Sequence, residues 1–344
     1  DQIVENAASP TAVVYPIIFR DRLEIILKLP QQPLQQYTTD VSQSQLETTL
    51  SQLQKDLFLP YTLNAVQDNA AQVYDWLIAP LETAIADSQI DTLVFVLDGF
   101  LRSIPMATLY DGEQYLVEKY SIALAPGLQL VDPQPLESQM LGTVIAGLSE
   151  SRHGFSELPF VASEVDQIQQ TTESRVLFNE AFTEDNLTTA INDTPFPLIH
   201  LATHGQFSSD PNETFILAWD KPIKVNELNS LLRQGEQTRQ KAIELLILSA
   251  CETAAGDKRA ALGLAGVAVQ AGARSTLASL WSLDDETGAL FSRYFYQALQ
   301  DSNMSKAQAV RDAQLRILRG AEDAHSAYQH PRYWAPYVLL GNWL

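Results

Sequence analysis

LIHLATHGQF, residues 198–207, and ELLILSACET, residues 244–253, are the two stretches whose reading decides the fold. Each opens on an apolar run of strand length and closes on one reactive side chain. These are His204, followed by Gly205, and Cys251, preceded by Ala250. Short apolar runs bounded by turn residues fit strands buried in a parallel sheet. In such sheets the ligand crevice lies at the carboxyl ends of the strands. An imidazole and a thiol at two such ends point to a cysteine–histidine nucleophilic site. The competing reading is a buried structural thiol, since a lone cysteine often serves as a small hydrophobe, with a histidine in a turn.

The surrounding sequence supports an α/β fold. From residue 140 onward strand-like and helix-like patterns alternate. MLGTVIAGL (140–148) reads as a strand. A helix follows from Ser163 to Thr172, its Ser-Glu-Val-Asp start resembling a capping box. RVLF (175–178) is a short strand, and a helix from Thr183 to Ile191 carries Glu184 and Asp185 in its first turn, as the helix dipole favours. FILAWD (215–220) forms a hairpin with Pro222–Val225, and a helix covers 226–234. STLASLWSL (275–283) is a strand, Asp284 and Asp285 open a helix through Leu299, a helix spans 304–319, and YVLLGNW (337–343) is a final strand. Upstream, residues 11–29 form a hairpin around Arg20-Asp21-Arg22. A polar, Gln-rich link follows. Leu46, Leu50, Leu53 and Leu57 mark an amphipathic helix over 41–57. A second helix spans 66–87 and breaks at Pro80. LVFVL (93–97) is a buried strand, and YLVEKYSIALAP (115–126) is strand-like. The Pro-rich VDPQPLES (131–138) divides the chain into 1–135 and 136–344.

Composition narrows the function classes. The 344 residues are 46% hydrophobic and 19% charged, as in a soluble globular protein with a large core. A net charge of −20 argues against nucleic acid and leaves room for a basic polypeptide partner. No apolar run approaches the roughly 18 residues of a membrane span, and the opening residues do not read as a signal peptide. The chain begins at Asp1, so a preceding region or targeting signal is left open. A single cysteine excludes internal disulfides and cysteine metal clusters, and a reduced thiol is compatible with the cytoplasm. No metal is expected: His200 and His204 lie four apart in a strand, and HExxH is absent. No cofactor is expected either, because Gly263, Gly266 and Gly272 match neither a dinucleotide nor a Walker loop. GxSxG and SxxK, which serine hydrolases would carry, are missing.

In the nucleophilic reading, His204 would take the thiol proton and later return it to a leaving amine. The backbone N–H groups of Gly205 and Cys251 are the natural oxyanion donors. Asp284 and Asp285 have two readings, a helix N-cap with a first-turn acid or an acidic pocket for a basic side chain.

LIHLATHGQF, FILAWD, ELLILSACETAAGD, GLAGVAVQAGARSTLASLWSLDDET and YWAPYVLLGNW, in this order, resemble the CHAT domain, a caspase-like cysteine peptidase module often found after TPR repeats. The likeness covers about 66–344. It implies a mostly parallel sheet with helices on both faces, preceded by a degenerate caspase-like half that serves as a scaffold. It implies a Cys251–His204 dyad that hydrolyses peptide bonds, under regulation, with the substrate extended along Ser279–Trp281. By likeness to separases, Asp284 or Asp285 would hold a P1 arginine. It also implies a TPR region or activating protein as partner. The alternative is a latent or non-catalytic interaction module that uses the peptidase fold as a binding platform.

Overall fold

The computed structural model describes residues 9–126, 135–136, 141–208, 210–238, 243–249, 252–253, 272–281, 284–320 and 326–344. Cys251, Gly263 and Gly266 lie outside the described residues. The chain forms two compact units, Asp1–Pro135 with Gln314–Leu344, and Leu136–Ala313.

In the first unit, β1 (Thr11–Ile18) and β2 (Leu23–Lys28) form the expected antiparallel hairpin, closed by the Phe19 amide on the Arg22 carbonyl at 2.9 Å. The Gln-rich link is not merely a connection. It contains β3 (Gln35–Thr39), antiparallel to β2. This strand has no apolar alternation because its pairing is anchored by polar groups. Thr38 lies opposite Glu24, whose carboxylate accepts from Thr38 Oγ1 at 2.8 Å, Gln36 Nε2 at 3.0 Å and Arg22 Nε at 2.6 Å. These donors, Gln36 first, hold the Glu24 carboxyl down at about 2. β1 also pairs in parallel with β4 (Thr92–Phe95), and β4 with β5 (Ser121–Leu124). The carboxyl-terminal strand Tyr337–Gly341 pairs in parallel with β5, which returns the end of the chain to this unit. The strand-like reading of 115–126 is corrected: Leu116–Lys119 is a helical turn and only Ser121–Leu124 is extended.

Helix α1 (Gln43–Leu57) starts at a capping box between Ser42 and Gln45 and buries Leu46, Leu50, Leu53 and Leu57, the stripe the spacing predicts. Full burial of each leucine contributes about 1.5–3 kcal/mol before entropy is counted. α2 (Leu63–Leu77) ends ahead of Pro80, which sits in a tight turn before the helix Glu82–Asp87.

The second unit holds a five-stranded, all-parallel sheet in the order β14-β12-β8-β6-β7, made of β6 (Gly142–Gly147), β7 (Glu173–Phe178), β8 (Leu198–Ala202), β12 (Leu245–Ser249) and β14 (Ser275–Ser279). β6, β8 and β14 are buried at every position, as apolar strands covered on both faces must be. From β6 the chain steps one way to β7, then back over β6 to β8. With right-handed crossovers, the connecting helices α3 (Val161–Thr171) and α4 (Glu184–Asp193) fall on opposite faces. α5 (Val225–Thr238) packs with α4, and α6 (Asp285–Leu299) packs with α3. α3 begins at Val161 with Phe160 as its N-cap and no side-chain cap, so the capping box at Ser163 is corrected. Glu164 is instead drawn inward to a core histidine. A small second sheet, in the order β11-β10-β9-β13, combines β9 (Gly205–Phe207), β10 (Phe215–Leu217), β11 (Pro222–Lys224) and β13 (Glu252–Thr253).

α7 (Lys306–Leu318) opens with Lys306 at 0% exposure, its ammonium without a hydrogen-bond partner among the described residues. Burial pushes this amine down from 10.5 to about 8, with Glu244 opposing and Arg274 assisting. A fall of that size corresponds to about 3 kcal/mol against the charged form. The folded-state value lies below the unfolded one, so the penalty is complete below pH 8 and fades as pH rises to 10.5. Lys306→Met is therefore expected to stabilise the protein at pH 7 by roughly 2–3 kcal/mol. Denaturant midpoints measured from pH 7 to 10.5 should converge, the advantage of the variant shrinking as the buried amine of the wild type loses its charge. Parallel curves would remove the buried charge as the cause.

Candidate active site

β8 and β12 are adjacent, with Ala202 opposite Ser249 at their carboxyl ends. His204 stands two residues beyond Ala202. On the far side of His204 the small sheet resumes the pairing, with Gln206 opposite Glu252 and Phe207 opposite Thr253. Described residues on both sides of Cys251 thus pair with residues on both sides of His204. The histidine backbone is fixed by two bonds. Its carbonyl accepts from the Leu217 amide at 2.8 Å, and the neighbouring Thr203 hydroxyl donates to the Leu217 carbonyl at 2.6 Å. Because the Leu217–His204 bond flanks the Ile216–Gly205 pair, that pair is not hydrogen-bonded. The Gly205 N–H is therefore directed away from β10, towards the β13 side of β9.

The His204 ring is half-buried beneath the loop that follows β6. Its Nε2 lies 2.8 Å from the Ser156 carbonyl oxygen, which can only accept, so Nε2 carries the hydrogen. In the neutral ring Nδ1 is then the free base. Phe155 lies against the imidazole with ring centroids 5.0 Å apart. The loop is turned by two consecutive left-handed residues, His153 at φ 50° and Gly154 at φ 89°. The Arg152 guanidinium stacks 3.4 Å over the Trp219 ring, and the His153 ring bonds the Trp219 carbonyl at 3.2 Å. At its base, Ser149 binds the Asn179 side chain and the Leu158 amide donates to the Ser149 carbonyl at 2.9 Å. Sequence reasoning missed this loop. Its one visible signal is the punctuation Gly154 and Pro159, and a backbone carbonyl has no residue identity to read.

The acidic pair divides its tasks. Asp284 is exposed and is the N-cap of α6, Oδ1 accepting from the Thr287 amide at 3.1 Å. Asp285 is half-buried, and its Oδ2 accepts from the Phe160 amide at 2.9 Å. Burial pushes the Asp285 carboxyl up, the Phe160 amide opposes this, Glu164 and Asp284 add to the rise, and the His204 charge lowers it. Ser279 and Trp281 are 0% and 1% exposed, so contact with a polypeptide there would fall to the main chain. His200 is a core residue bonded to Glu164 at 3.0 Å and to the Tyr296 hydroxyl at 3.2 Å. Among the described residues, no cluster of His, Cys, Asp or Glu could hold a metal, and no helix is long and apolar enough to cross a membrane.

A mostly parallel, helix-flanked sheet with this site at its carboxyl edge defines the caspase-like peptidase fold. The CHAT domain model matches residues 67–342, and the chain belongs to that family. It is 22% identical over 326 residues to Tetratricopeptide repeat protein 28 of Homo sapiens, an alignment covering 78% of this chain and 13% of that protein. Two crystal structures of the Saccharomyces cerevisiae separase–securin complex, at 2.6 and 3.0 Å, superpose with TM-scores of 0.63 and 0.61. Each is 12% identical and covers 99% of this chain and 30% of the separase chain. At that identity the likeness is one of fold. The chain spans less than a third of the length of each of these relatives.

Proposed function

We propose that this chain is a regulated cysteine endopeptidase in which Cys251 and His204 form the dyad. The observation that carries the reading is the register: Ser249 and Glu252, which flank Cys251 in sequence, are paired with Ala202 and Gln206, which flank His204. His204 Nδ1 accepts the thiol proton, and the thiolate attacks the scissile carbonyl carbon. The Gly205 and Cys251 amides receive the oxyanion. The C–N bond breaks as the imidazolium protonates the leaving amine, and water, activated by the same ring, hydrolyses the thioester and restores the thiol. The substrate lies extended past the end of β14, and Asp284, exposed and committed to its helix by one oxygen only, reads a P1 arginine or lysine. The first unit serves as a scaffold. The TPR-bearing human relative supports a TPR region as the activating partner.

Peptides with Arg, Lys, Gln and Asp at P1 test this reading. Arg and Lys peptides should be cleaved fastest. Asp284→Asn keeps a good N-cap but removes the charge, so the preference for Arg over Gln should fall about 10- to 100-fold, the worth of one charge-assisted bond. A preference for Asp, or an unchanged preference in Asp284→Asn, would refute the pocket.

A further inference from the structure

The loop that holds His204 is itself held at one end by a carboxylate, a relation outside the dyad and outside the pocket. His204 Nε2 donates to the Ser156 carbonyl at 2.8 Å, and four residues later the Phe160 amide donates to Asp285 Oδ2 at 2.9 Å. Pro159 stiffens the link between them. Phe160 is the N-cap of α3, and its carbonyl accepts from Glu164, so its amide is free of the helix and bonds Asp285. Asp285 is the first residue of α6. One carboxylate therefore ties the starts of two helices together at the end of the loop whose Ser156 carbonyl bonds His204.

We propose that Asp285 is a positioning residue for His204, anchoring the Ser149–Phe160 loop through the Phe160 amide so that the Ser156 carbonyl stays on Nε2 and Nδ1 stays free. The inference rests on the dyad reading and assigns Asp285 a task distinct from that of Asp284. Removing the anchor releases the loop, and the ring then samples the wrong tautomer. The charged groups facing Asp285 are Asp284 on its own helix, Glu164 on α3 and His204 itself.

Ring-nitrogen NMR of His204 in the full chain tests this without needing activity. With five histidines in the chain, His204→Gln identifies the signal. The wild type should show the Nε2–H tautomer. Asp285→Ala should lose that preference. Asp285→Asn, which keeps an oxygen for the amide, should retain it. In peptide cleavage, Asp285→Ala should lower kcat about 10- to 100-fold with KM little changed, and Asp285→Asn should restore most of it. An unchanged tautomer in Asp285→Ala overturns the proposal. Tautomers that move as expected in a protein whose wild type cleaves nothing uphold the positioning role and remove the peptidase reading instead.

Discussion

Cys251→Ala is expected to lower peptide turnover by roughly 10⁴-fold or more, the scale at which loss of a nucleophile leaves only binding and oxyanion stabilisation. His204→Ala should fall into the same range. The double variant should add almost nothing, because the two groups act as one unit. At pH 7 a free thiol is only a few per cent ionised, so the rate depends on the imidazole taking its proton. The single cysteine makes a second measurement unambiguous. The pH profile of alkylation by iodoacetamide reports Cys251 alone, and it should shift to higher pH in His204→Ala. Equal turnover by wild type and Cys251→Ala would remove the dyad. A profile that shifts in a protein inert towards every peptide would identify a latent enzyme awaiting its activator, and an unshifted profile the non-catalytic platform.

Glu164→Ala is expected to cause the largest loss of stability. Its Oε1 accepts from the Ser292 hydroxyl at 2.5 Å and bonds His200 Nε2 at 3.0 Å, while His200 Nδ1 meets the Tyr296 hydroxyl at 3.2 Å. Glu164, His200 and Ser292 are 3%, 0% and 3% exposed, and Tyr296 is fully enclosed. Truncation leaves two buried polar groups unpaired at about 1–3 kcal/mol each and opens a void, for a total of about 3–6 kcal/mol. In a unit of this size a kilocalorie moves Tm by about 2–4 °C, so calorimetry should record a fall on the order of 10–20 °C. Ser292→Ala removes one donor and should cost only about 1 kcal/mol. A Glu164→Ala protein melting with the wild type would show that the network adds nothing to stability.

Much of this architecture is legible in the sequence because one physical rule governs it. β6, β8 and β12 are largely apolar because both faces are covered, so their runs stand out without alternation. His204 stands out because it closes such a run. What escapes is held by groups with no apolar signature. β3 is written in Gln and Thr because its order comes from hydrogen bonds to Glu24. Ser163-Glu164 imitates a capping box, but the carboxylate is needed inside the core by His200. Asp284 and Asp285 look equivalent in sequence. Only their partners, Thr287 on the same helix and Phe160 in a distant loop, separate them. The proposal for Cys251, which lies outside the described residues, draws on the apolar run that precedes it in sequence and on the family.

The return of residues 314–344 to the first unit fixes an order of events during synthesis. A strand laid down beside Ser121–Leu124 is made only after the whole of Leu136–Ala313. On a ribosome β5 therefore waits for its second parallel neighbour and exposes an unpaired edge. Such an edge invites pairing with a foreign chain. A nascent chain stopped before Gln314 leaves Ser121–Leu124 without its Tyr337–Gly341 neighbour and should depend on chaperones.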